Sequence, residues 1–235
     1  MAVFRFKQFD VVNERSAMRV NTDGVLLGAS VTLLPSDRSI LDVGTGTGTV
    51  ALMVAQRLSL PFHITGIDID EDSASEASCN FANSPWKDSM QAIAVSLTDY
   101  DAGPFDLIVS NPPYFDSSLK APELRRRNAR HTDTLSYREL IEYSAAHLAP
   151  EGRLTFILPS EFLVPARRYA SGFSLYPFRI LSIKTVPHKP ASRVIMEFSR
   201  TKTLDIQEDS LVIQQEGRYT EAYRSLTADF LTLKY

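Results

Sequence analysis

The sequence predicts an α/β fold, a doubly wound and mostly parallel sheet that ends in an antiparallel C-terminal hairpin. Three observations predict it. From Ser39 onward, short apolar runs alternate with helical patterns, and alternating β and α units require a parallel sheet with crossover helices. A glycine-rich turn, Leu41 to Gly48 (LDVGTGTG), joins the first strong strand to a helix. Near the end, Phe178–Val186 and Ser192–Ser199 are two strand-like runs joined by Pro187-His188-Lys189-Pro190, a spacing that pairs them antiparallel.

The elements follow in order. Phe4 to Phe9 alternates aromatic and polar residues, as in a short half-exposed strand, and Asn13 to Ser16 is a turn. Asn21-Thr22-Asp23-Gly24 supplies N-cap chemistry for a helix through Val25, Leu26, Leu27 and Ala29. Ile40–Val43 reads as a strand and Thr47–Leu58 as a helix burying Val50, Ala51, Val54 and Leu58. His63–Ile69, Ala92–Val95, Phe105–Val109 and Arg153–Leu158 are the further strands. Between and after them, Ser73–Phe81, Tyr137–Leu148 and Pro165–Gly172 are helical. Leu211–Ile213 adds a short strand, and Thr220–Leu231 a closing helix.

Length and composition narrow the classes. A chain of 235 residues suits one large α/β domain, and 44% hydrophobic with 23% charged residues is ordinary for a globular protein. No apolar run reaches membrane-spanning length, and Met1 to Phe9 lacks a signal-peptide core. The single cysteine, Cys79, forms no internal disulfide; among small helical residues it reads as a buried or half-buried thiol in a reducing cytoplasm. A net charge of −3 gives no overall basic footprint, so a nucleic acid must be held by a local patch. The histidines His63, His131, His147 and His188 have no metal-ligand spacing, and no metal is expected.

The candidate chemistry gathers at strand ends. Gly44, Gly46 and Gly48 follow G-x-G-x-G spacing, and Thr49 stands where a dinucleotide fingerprint needs its third glycine. Asp42, two residues before the first glycine, repels a pyrophosphate but suits a cationic headgroup, which favours S-adenosylmethionine over a dinucleotide. Asp68, at the end of the second strand, is placed to accept from both ribose hydroxyls, with Ile69 against the adenine. Asp99 offers a carboxylate to the adenine amino group, and Ser96-Leu97 is the alternative for that position. After the fourth strand come Asn111-Pro112-Pro113-Tyr114. Two prolines stop the strand and stiffen the turn, leaving an amide, unpaired carbonyls and aromatic faces for a planar ligand bearing an –NH2 group. Phe115 adds a second ring.

The glycine loop, the acid after the second strand and the N-P-P-Y turn together resemble class I S-adenosylmethionine-dependent methyltransferases that modify exocyclic or amide nitrogens, a Rossmann-like fold. Flanking segments are similar to the bacterial valine-tRNA adenine-N6 methyltransferases: Phe6–Phe9, Ala17–Val20, Thr22–Gly28, Asn128–Leu135 and Tyr219–Tyr223. Asp68 stands where some relatives carry Glu. The resemblance implies a single methyltransferase domain over 1–235. Residues 1–35, with Thr22 and Asp23, then close over the cofactor, and 36–235 form the catalytic core. It implies Asn111, Pro112, Pro113 and Tyr114 as catalytic residues and the adenosine 3′ to a valine tRNA anticodon, position 37, as acceptor. Arg125, Arg126, Arg127, Arg130 and Lys189 are the expected tRNA contacts, since the run from Lys120 to His131 is the densest basic stretch. The expected place of action is the cytoplasm, and the sequence leaves the oligomeric state open, a monomer included. DNA adenine or protein glutamine is the alternative acceptor, and a catalytically silent cofactor-binding module the alternative class.

Overall fold

The computed structural model of the protein describes residues 2–16, 18–112 and 135–232. Among the described residues, the main sheet has eight strands. They are β3 (Ser39–Val43), β4 (His63–Asp68), β5 (Met90–Ala94), β6 (Phe105–Ser110), β7 (Leu148–Pro159), β8 (Tyr176–Lys184), β9 (Arg193–Ser199) and β10 (Gln207–Val212). Their order is β10-β8-β9-β7-β6-β3-β4-β5. All neighbours run parallel except at β9, which is antiparallel to both β7 and β8. The expected hairpin is therefore present, and β9 is wedged between β7 and β8 within the sheet.

Side-chain alternation along the central strands sends residues to two faces. Ile40, Leu107, Val109, Ile157 and Ile195 join a core with α1 (Thr22–Ser30), α2 (Thr49–Arg57), and Ala77 and Phe81 of α3 (Glu71–Ala82). Leu41, Ile108, Leu154, Phe156 and Phe198 join a second core with α4 (Tyr137–His147) and α5 (Leu163–Gly172). Helix α4 opens on a full capping box, Ser136 with Glu139, as its Ser-x-x-Glu sequence dictates.

Some elements differ from the expectation. The N-terminal stretch is a two-stranded antiparallel ribbon, β1 (Val3–Arg5) with β2 (Asp10–Val12), and the turn between them buries Phe6 and Phe9. The edge run becomes the six-residue β10, parallel to β8. The closing helix, α6 (Glu221–Thr227), is shorter than expected. β7 begins at Leu148 because Gly152, whose Cβ would lie 2.6 Å from the Phe105 carbonyl, lets the chain pass close to β6. Cys79 is exposed on the outer face of α3; Ala77 and Asn80 take the inner positions.

The chain winds from β3 to β4 and β5 on one side, then returns to lay β6 and β7 on the other. The winding reverses between β3 and β6, and the crevice beyond their carboxyl ends is where open sheets of this type bind ligands.

Candidate active site

β3 and β6 end in register, Val43 opposite Ser110, and the Ser110 hydroxyl donates to the Val43 carbonyl at 2.8 Å. The two turns that follow, Gly44–Gly48 and Asn111–Pro112, therefore leave the sheet side by side. The glycine loop is fixed by its backbone. Gly44, Gly46 and Gly48 have φ of 68°, 56° and 79°, the left-handed region that glycine enters without penalty. The amides of Gly44 and Thr45 donate to the Ile67 carbonyl at 2.8 and 2.9 Å, hooking the loop to the end of β4. Gly48 has no alternative, since a Cβ there would lie 2.4 Å from Phe81 Cε1. At Gly44 a Cβ would meet only Leu135 at 3.9 Å, so that glycine keeps the ligand side open.

A shallow groove, open to solvent, runs along this loop. Its walls are Met18–Asn21 and Gly24 on one side, Gly44–Thr47, Thr49 and Val50 below, and Asn111 at the end. Asn111 is 7% exposed and its Nδ2 approaches Met18 Sδ at 3.6 Å. Thioether sulfur only accepts, so this contact turns the amide nitrogen toward Met18. Pro112 is buried beside it. Pro113, Tyr114, Phe115, Arg125, Arg126, Arg127 and Arg130 lie outside the described residues.

Asp68 joins the loop to the next helix. Its Oδ2 accepts from Gly46 N at 2.9 Å and its Oδ1 from Asp70 N at 3.0 Å. Burial raises its pKa above the ordinary carboxylate range, against the lowering by those two amides. Each oxygen retains a second lone pair, which suits paired hydroxyls. Ile69, next along, leaves 49% of its surface open, an apolar face that a ring can cover. The Val95 amide donates to the Asp68 carbonyl at 2.9 Å, which brings the following segment alongside. There Asp99 is exposed, and its carboxylate accepts from Ser96 Oγ at 2.7 Å, so the two alternatives for the adenine contact form one hydrogen-bonded unit.

Asp42 lies beneath the loop. It is 1% exposed, and its Oδ2 accepts from Thr45 Oγ1 at 2.8 Å and Ala51 N at 3.2 Å. Burial pushes its pKa from the ordinary 3.8 to about 7, against the lowering by Thr45 and Ala51, with Asp68 adding to the rise. The carboxyl is thus held one layer behind the glycines, because alternation along β3 turns Asp42 onto α2. The Asp23 carboxylate takes Arg193 Nε at 2.8 Å, tying α1 to β9. Neither Thr22 nor Asp23 is on the groove wall; their neighbours Asn21 and Gly24 are. Lys189 is exposed on the β8–β9 turn, and the Arg193–Asp23 pair holds the base of that turn to the N-terminus of α1.

Sequence reasoning did not single out Met18 on the groove wall, or Glu76 and Asn80 behind it. The signal for the last two was present: polar side chains four apart, sharing a helix face with Ala77 and Phe81. Among the described residues, no cluster of His, Cys, Asp and Glu has the arrangement of a metal site, and no helix is long and apolar enough to cross a membrane.

Residues 20–167 match the family described as methyltransferase small domain. A tRNA1(Val) (adenine(37)-N6)-methyltransferase of Parabacteroides distasonis is 42% identical over 231 residues, covering 97% of this chain and 96% of its own. One of the same name from Bacteroides thetaiotaomicron is 40% identical over 228 residues, with the same coverage. The chain belongs to this methyltransferase family. A solved structure of a predicted O-methyltransferase from Agrobacterium tumefaciens superposes with a TM-score of 0.69 at 18% identity, covering 88% of this chain and 96% of that one. A ribosomal protein L11 methylase from Lactobacillus delbrueckii subsp. bulgaricus gives 0.53 at 21% identity, covering 76% and 77%. At those identities the likeness concerns the fold alone. The chemistry of this set fits S-adenosylmethionine: left-handed glycines that leave room for a ligand, a carboxylate with free lone pairs suited to paired hydroxyls, and an open apolar side chain at Ile69 suited to a purine.

Proposed function

We propose that this chain transfers a methyl group from S-adenosylmethionine to the exocyclic N6 of adenosine 37 in a valine tRNA, as the names of its relatives state for them. One observation carries the reading: the glycine loop and the Asn111-Pro112 corner leave adjacent strands in register, so donor and acceptor sites share one groove. Gly44–Gly48 and Asp68 would hold the nucleoside, Ile69 would offer its purine an apolar face, and Asp42 would supply negative charge beneath the loop. When bound, the cofactor supplies an electrophilic methyl on a sulfonium.

The acceptor amine is a poor nucleophile because its lone pair is delocalised into the ring. Asn111 Oδ1, turned away from Met18, accepts one N–H and the Pro112 carbonyl accepts the other. The lone pair is thereby directed at the methyl, and alignment of two bound reactants supplies most of the rate. The N–C bond forms as the S–C bond breaks, and the amine proton departs to water afterwards, so no strong base is needed. Pro113 stiffens the corner, and Tyr114 with Phe115 stacks on the base once it has left its own stack. Arg125, Arg126, Arg127, Arg130 and Lys189 hold the flanking phosphates in the cytoplasm, where tRNA is found.

Incubation with radiolabelled S-adenosylmethionine and separate pools of tRNA, DNA and protein tests the reading. TRNA from cells lacking this activity should take up label, with mass spectrometry placing N6-methyladenosine at position 37. Label confined to DNA or protein, or absent from all three, overturns it.

A further inference from the structure

The groove wall formed by Met18–Asn21 belongs to neither the sheet nor a helix, and its position has to be set by something else. The inner face of α3 does this. Glu76 is 4% exposed and accepts three consecutive backbone amides: Glu14 N at 2.8 Å and Arg15 N at 2.9 Å on Oε1, Ser16 N at 3.0 Å on Oε2. One turn before it, Ser73 Oγ, which donates to Asp70 Oδ2 at 2.6 Å, packs 3.1 Å from Ser16 Oγ, and Ser16 Oγ donates to the Met18 carbonyl at 3.1 Å. One turn after it, Asn80 spans β2 and the glycine loop, accepting from Val12 N at 2.8 Å and donating to Val12 O and Thr47 O at 3.0 and 2.9 Å. The two parts meet at Gly46, where a Cβ would lie 3.4 Å from Ser16 Oγ and 3.5 Å from Met18 O.

We propose that Glu76 is a positioning residue for the cofactor site, acting through the Glu14–Ser16 amides to set the Met18–Asn21 wall over the glycine loop. A carboxylate that takes three successive amides fixes both the place and the direction of that backbone, which a single bond would leave free to pivot. Glutamine cannot replace it. With its oxygen on the Glu14 and Arg15 amides, its –NH2 faces the Ser16 N–H, donor against donor. The inference rests on the reading of this groove as the S-adenosylmethionine site.

Calorimetric binding of S-adenosylmethionine and S-adenosylhomocysteine to Glu76→Gln, with steady-state kinetics on tRNA, tests it. Glu76→Gln should weaken both ligands by about ten- to hundredfold, the size of a lost buried charge-assisted contact. kcat at saturating cofactor and KM for tRNA should stay within about twofold. Equal loss for both ligands separates positioning from charge, because only the first carries the sulfonium. Loss confined to S-adenosylmethionine, a fall in kcat with unchanged affinities, or no change at all overturns the proposal. Ser16→Ala removes the hydroxyl link to the Met18 carbonyl and should give about threefold weaker binding. It carries the test if Glu76→Gln folds poorly, and unchanged affinity there would also overturn the proposal. Wild-type protein that binds neither ligand would instead refute the cofactor reading itself.

Discussion

Replacing Asp42 with Asn should raise stability and lower cofactor affinity in the same protein. The carboxyl is 1% exposed and its pKa is pushed from 3.8 to about 7, chiefly by burial. That gap corresponds to about 4 kcal/mol between the protonated and ionised forms. The sign follows from linkage. With the folded pKa above the unfolded one, the protonated group's contribution is fully present below pH 3.8 and is lost as pH rises through about 7. Above pH 7 the buried anion is a net cost that Asn does not carry. Both donors, Thr45 Oγ1 and Ala51 N, fall on Oδ2, so an Asn with its oxygen in that place keeps both bonds. Asp42→Asn should therefore gain about 2–4 kcal/mol at pH 8, or roughly 6–12 °C in Tm, and almost nothing at pH 4. The same change removes the negative charge beneath the loop. A unit charge acting through a few ångströms of protein is worth about 2 kcal/mol, so affinity for S-adenosylmethionine at pH 8 should fall roughly thirtyfold. In the wild type, that affinity should rise as pH climbs toward 7 and level off above it. Differential scanning calorimetry of the free protein at pH 4, 6 and 8, with titration calorimetry at pH 8, measures both. A variant that is less stable at pH 8 and binds the cofactor as tightly as wild type would refute the reasoning.

Three further changes separate the parts of the site. Asn111→Ala should lower kcat by at least about a hundredfold while the cofactor Kd stays within a few-fold, since the lost group faces the acceptor; robust turnover would remove Asn111 from the chemistry. Gly48→Ala forces a left-handed φ on a side chain and drives Cβ into Phe81, so it should cost about 2–4 kcal/mol in denaturant melts. Gly44→Ala should cost only about 1 kcal/mol but weaken cofactor binding, and equal destabilisation by the two would contradict their assignment. Charge reversal at Arg125, Arg126 and Arg127 should weaken tRNA binding and reduce its salt slope by about 2; an unchanged slope would take the phosphates elsewhere.

What the sequence made legible was what a strand end imposes on its neighbours. Glycines with alternate spacing announce a backbone that must run left-handed, and Gly44, Gly46 and Gly48 all do so. Consecutive prolines announce a strand that must stop, and β6 stops at Ser110. Alternation put Asp68 at the end of β4, where it holds Gly46. The same alternation, followed one strand back, would have shown that Asp42 shares its face with Ile40 and points onto α2. Long-range partners left little trace: Glu76 meets amides 60 to 62 residues away, and backbone N–H groups carry no side-chain signature. The pairing of Asp23 with Arg193, 170 residues on, left no local signal either. Cys79 was misplaced because a run of small residues gives a helix no marked apolar side, so the inward face was set by Glu76, Asn80 and Phe81 instead.

A crystal structure of the protein with S-adenosylhomocysteine bound tests the central claim most directly. The thioether sulfur should point along the groove at Asn111 Oδ1 and the Pro112 carbonyl, with space between for one methyl and one amine. A sulfur directed toward Ile69, or a ligand seated away from the Gly44–Gly48 loop, would contradict the account.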